Sequence, residues 1–146
     1  MSKSRMVRSI ETTLKGVIIS RMAPGDDILK TIERVALEHN VKSGQITFIG
    51  AVSGARLGYF DREAGEYKDF LIERNLEVVS GMGNISRLAD DSVVVHSHLV
   101  VSDEDGRCWG GHLMEGCEVS VTIELIIIET NADLRRAKDE MTGLNL

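Results

Sequence analysis

Val93-Val94-Val95-His96-Ser97-His98-Leu99-Val100-Val101-Ser102, Asp103-Glu104-Asp105-Gly106 and Arg107-Cys108-Trp109-Gly110-Gly111-His112-Leu113 follow one another without a break and read as one β-hairpin. Side chains on a strand alternate between faces, so His96 and His98 project together. A three-residue loop, Glu104-Asp105-Gly106, places Gly106 in the left-handed conformation that a type I turn with a bulge requires. Asp103 then pairs with Arg107, and counting back along both strands sets His98 opposite His112. A two-residue Asp-Gly loop would slip the register by one and turn His112 to the other face. A shared three-histidine face therefore depends on the longer loop.

The chain has only four histidines, and these three fall within seventeen consecutive residues. Cross-strand neighbours stand about 4.5–5.5 Å apart at Cβ, and zinc takes imidazole nitrogen at about 2.0–2.1 Å. One ion shared by His96, His98 and His112 is compatible with both distances. Three protein ligands leave a coordination position for water or a small molecule, whereas structural zinc sites are closed by four. Glu124, Glu118 and Glu115 are candidates for a fourth ligand or an outer carboxylate, alongside water. Glu124 stands out as a charge in an apolar strand, where it would need a partner. Gly110-Gly111 either lets the backbone approach a ligand closely or fits a crowded strand. Trp109 alternates to the face opposite the histidines, where packing is its expected role.

Outward from the hairpin, most of the chain is strand-like. Residues 16–21, 45–54, 55–61, 67–72, 76–79 and 119–129 read as further strands, and Gly81-Met82-Gly83-Asn84 reads as a turn. Pro24 opens the one long helix, with Gly25 or Asp26 as its cap. Ile28, Leu29, Ile32, Val35, Ala36 and His39 recur on one stripe of it, and Asn40 ends it. Residues 132–141 are expected to form a short C-terminal helix. The fold class is α+β: a mainly antiparallel sheet with one long helix packed on it, in a single domain spanning 1–146. The last strand is apolar on both faces near its end, through Leu125, Ile126, Ile127 and Ile128, and so needs a covering on each. The helix supplies one, and another subunit is the natural candidate for the second.

Composition narrows the function classes. The chain has 146 residues, 42% hydrophobic and 27% charged, with a net charge of −6. That charge disfavours nonspecific nucleic-acid binding, which needs a positive footprint. Lys3, Arg5, Arg8, Lys15 and Arg21 form a local basic excess, read as a solvated strand edge. No apolar run is long enough to span a membrane, and no signal-peptide pattern follows the N-terminus, so a cytoplasmic protein is expected. Cys108 and Cys117 form neither a CxxC pair nor a disulfide framework; Cys117 is either a small buried side chain or a metal ligand.

The stretch Leu76-Glu77-Val78-Val79-Ser80-Gly81-Met82-Gly83-Asn84-Ile85, with His96-X-His98, Asp105-Gly106-Arg107 and Gly110-Gly111-His112-Leu113, resembles the plant-and-prokaryote-conserved (PPC) domain family over nearly the whole chain. The resemblance implies an α+β domain that assembles as a homotrimer. It also implies kinship with acetolactate decarboxylases, whose zinc is held by a similar histidine cluster. Plant members couple the domain to an AT-hook, and no Arg-Gly-Arg-Pro hook occurs in this sequence.

Three functions follow as expectations. One is a homotrimeric metalloprotein holding zinc, or another divalent metal, on His96, His98 and His112 and facing a small anionic ligand. In its concrete form it is a lyase or hydrolase, with Arg56 as a candidate anion clamp. The alternative is a DNA-binding or protein-interaction module without catalysis. The third is a trimerisation scaffold whose histidines are merely polar core residues.

Overall fold

Alternating burial along the apolar runs produces nine elements in the computed structural model, which describes residues 8–146. They are β1 (Leu14–Met22), α1 (Ile28–Glu38), β2 (Gly44–Val52), β3 (Ala55–Asp61), β4 (Glu66–Ile72), β5 (Leu76–Arg87), β6 (Val93–Ser102), β7 (Cys108–Leu113) and β8 (Val119–Thr130). The strands make one sheet in the order β1-β8-β2-β5-β6-β7-β3-β4, and every neighbouring pair is antiparallel. The α+β class is as the sequence implied. Helix α1 turns Ile28, Thr31, Ile32, Val35 and Ala36 inward. The core also holds Ile46, Phe48, Leu99, Val101, Ile123, Leu125 and Ile127 from the sheet, with Trp109 packed against it.

The helix begins later than Pro24 suggests. Asp27 is its cap, accepting a hydrogen bond from the Lys30 amide at 3.1 Å, not Gly25 or Asp26. The preceding turn is tied to β8: the Gly25 amide donates to the Val119 carbonyl, and the Val119 amide donates to that of Asp26. Those tertiary bonds hold residues 24–26 out of the helix. At the other end Asn40 takes a left-handed φ of 51°, as a helix terminus favours.

Two further expectations are corrected. Gly81-Met82-Gly83-Asn84 is no turn but the middle of β5. A Cβ at Gly83 would lie 2.1 Å from the His96 carbonyl oxygen, so glycine there admits β6 at close range. Residues 132–141 form no helix. The Arg87 amide donates to the Leu134 carbonyl, and the Arg136 amide donates to that of Arg87, both at 2.9 Å. Hydrogen bonds to the end of β5 thus replace helical ones, and the segment lies alongside that end as a strap.

Edge strand β1 carries two residues of the basic N-terminal excess, Arg21, which is exposed, and Lys15, which pairs with Glu129 at 2.8 Å; Arg8 is exposed ahead of the strand. Lys3 and Arg5 lie outside the described residues. No helix among the described residues is long and apolar enough to cross a membrane.

Candidate metal centre

The hairpin register is the one the longer loop demands. Gly106 has φ 77°, its amide donates to the Asp103 carbonyl, and the Asp103 amide donates to the Arg107 carbonyl. The Asp103 carboxylate also accepts from the amides of Asp105 and Arg107, fixing the turn from within. Ser102 then faces Cys108, and His98 faces His112. Directly paired residues share a face, so a row crosses the sheet as Ile126, Thr47, Met82, His98, His112 and Gly58. The neighbouring row carries Asn84 and His96. This face is opposite the one that α1 covers.

One nitrogen from each of His96, His98 and His112 lies within 4.8 Å of the others, and the ring centroids are 5.1–5.5 Å apart. The Nδ1 atom of His112 is buried without a hydrogen-bond partner. A buried polar atom left so is costly, and a neutral imidazole has a lone pair for a cation. Burial pushes His112 down to about 4, and His96 and His98 add repulsion. His96 is lowered first by burial, then by the Arg136 charge and by His98. Neutral imidazole is the form a metal needs. The residues present fit a metal on the chemistry of their donors, and these three could hold one.

Tyr67 on β4, which the sequence reading passed over, stacks on His112 with ring centroids 4.7 Å apart. It restricts how that imidazole can turn. Arg136 was also missed, since its segment looked helical. Its guanidinium donates to Asn84 Oδ1 and Ser86 Oγ, both at 2.7 Å. Beside His96 and His98 opens a cleft of about 630 Å³, lined also by Ile10, Met82, Asn84 and Leu134.

Other candidates lie elsewhere. Glu124 is exposed, with Arg21 and Ile49 as its strand partners, so the reading of a buried charge in need of a partner does not hold. Glu115 pairs with Lys30 at 2.5 Å, and Glu118 is exposed beside the helix start. None joins the histidine group among the described residues. Arg56 is engaged by Asp69. Cys117 is buried, its thiol pushed up to about 11 by burial and donating to the Arg56 carbonyl; it is a core side chain. A Cβ at Gly111 would meet the Gly58 carbonyl oxygen at 2.9 Å, which favours the crowded-strand reading of Gly110-Gly111.

Comparison with known proteins gives a consistent picture. The sequence profile of the Plants and Prokaryotes Conserved (PCC) domain matches residues 10–131. The bifunctional protein GlmU of Synechococcus sp. strain JA-3-3Ab is 34% identical over 125 residues, 84% of this chain. The chain spans only 19% of that relative's length. Among solved structures, the metal-containing protein AF0104 from Archaeoglobus fulgidus is 31% identical, with TM-score 0.88 and coverage of 96% of this chain and 98% of the other. A plant- and prokaryote-conserved protein from Pyrococcus horikoshii is 29% identical, with TM-score 0.87 and coverage of 97% and 96%. A Staphylococcus aureus protein similar to α-acetolactate decarboxylase shares the fold alone, at 10% identity and TM-score 0.56 over 84% of this chain and 55% of the other.

Proposed function

This chain belongs to the Plants and Prokaryotes Conserved domain family, and on that premise we propose that it is a homotrimeric metal-binding protein. His96, His98 and His112 hold the ion, zinc before other divalent metals, and it faces a small anionic ligand. The observation that carries the reading is a cluster of three imidazoles, one nitrogen of each within 4.8 Å of the others, with the Nδ1 of His112 buried and unpartnered. The metal-containing relative from Archaeoglobus fulgidus supports it.

Zinc held by neutral imidazoles keeps its full charge and would supply Lewis acidity toward a carbonyl or a bound water. The protein's own contribution is orientation: Tyr67 packs against His112, and the hairpin register holds His98 beside it. In its finer form the reading is a lyase or hydrolase acting on a small anionic molecule. The net charge of −6 weighs against the nucleic-acid alternative.

Elemental mass spectrometry on tag-free protein incubated with zinc and then dialysed tests the site. About one zinc per chain is expected in the parent and little in His98→Ala, because each missing imidazole removes a ligand. No zinc in either would overturn the reading.

A further inference from the structure

The cleft beside the histidines has a definite chemical character. Ile10, Met82, Ala132 and Leu134 give it apolar surface, uncharged polar side chains such as Thr12 and Gln45 line the rest, and among the described residues none that lines it is Asp, Glu, Lys or Arg. Its polar end is formed by His96, His98 and Asn84. Asn84 pairs with His96 across β5 and β6, so both project on the same side of the sheet.

Arg136 settles which way the Asn84 amide points. A guanidinium only donates, so the atom it meets at 2.7 Å must be the amide oxygen. The other end of Asn84, an NH2 with two donors and no acceptor, has no hydrogen-bond partner among the described residues. Arg136 itself is occupied by Ser86, Asn84 and the Asn145 carbonyl. Arg136 does not line the cleft, so its donors stay out of it.

We propose that Asn84, oriented by Arg136, recognises the carboxylate of a small monocarboxylic acid whose uncharged apolar tail lies in the cleft. The inference rests on the metal reading above and names its ligand class. An amine would be repelled by the metal cation of that reading. A phosphate would call for several convergent cationic or backbone donors, and among the described residues the cleft offers no cationic side chain, only the amides of Asn84 and its strand partner Gln45. The apolar walls select for tail length.

The test uses zinc-loaded full-length protein, calorimetric titration with hexanoate, acetate and hexylamine, and zinc content measured on the same samples. Asn84→Asp keeps the shape and an acceptor for Arg136 while turning an oxygen toward the cleft; Asn84→Leu removes the amide. Hexanoate should bind at least about tenfold more tightly than acetate, since each buried methylene adds to affinity, and hexylamine should not bind. Both variants should retain zinc and bind hexanoate about ten- to a hundredfold more weakly, the range for a lost hydrogen bond to a charged group. Unchanged hexanoate affinity in a variant that keeps zinc would overturn this inference and leave the metal site standing. So would equal binding of acetate or of hexylamine. A parent that takes up no zinc would overturn both, and the metal measurement alone would reveal it.

Discussion

His112 is the most constrained side chain of the centre, between Tyr67 on one side and the other two imidazoles on the other. Burial lowers its proton affinity from the usual 6.5 to about 4, while in the unfolded chain it returns to the usual value. Between those pH values the unfolded state binds more protons, so stability falls as pH drops from about 6.5 toward 4 and levels off below. Above the unfolded value His112 adds no pH dependence. Thermal unfolding of metal-free protein should therefore show a steeper loss between about pH 7 and about pH 4.5 in the parent than in His112→Asn. Parallel curves would mean that the ring is not held neutral. Bound metal should steepen the parent's curve, because protons and metal compete for the same nitrogens.

The β6–β7 hairpin is the element on which the site depends, and it was legible because loop length alone decides which face His112 takes. Gly106 lies in the left-handed region, with nothing within 4 Å of where its Cβ would be. Gly106→Ala should thus cost about 1–2 kcal/mol through backbone strain alone, and Gly106→Asn clearly less, since Asn tolerates that conformation. Chemical denaturation would measure both, and zinc stoichiometry should remain that of the parent because the register is kept. A neutral alanine variant would show that the turn is not under this constraint. Strand β5 was less legible: glycines at 81 and 83 mimic a turn until Phe48 and the β6 backbone are placed against them. The strap at 132–141 was illegible for a related reason. Its partners, Arg87, Ser86 and Asn84, lie about fifty residues away in sequence, and local propensity carries no trace of them.

At the scale of the molecule, the sheet has one face covered and one bare. The bare face presents Val17 at 59% exposure, Ile19 at 78%, Ile49 at 53% and Ile126 at 40%. Ile19 and Ile126 pair directly across β1 and β8 and share the row that leads through Met82 to His98. Contiguous apolar surface of this kind marks an association site, and it meets the sequence-based expectation that β8 needs a second covering. If the homotrimer forms through this face, a lysine at 126 would add a charge to every interface beside the Arg21–Glu124 pair already on that face, and its desolvation costs far more than one contact. Ile126→Lys should then convert a species of three times the 16.1 kDa chain mass into monomer, as measured by light scattering on the eluting peak. The circular dichroism spectrum should be retained, because residue 126 points away from the core beneath α1. A parent that already elutes at one chain mass would overturn the homotrimer, and the bare face would need a different covering.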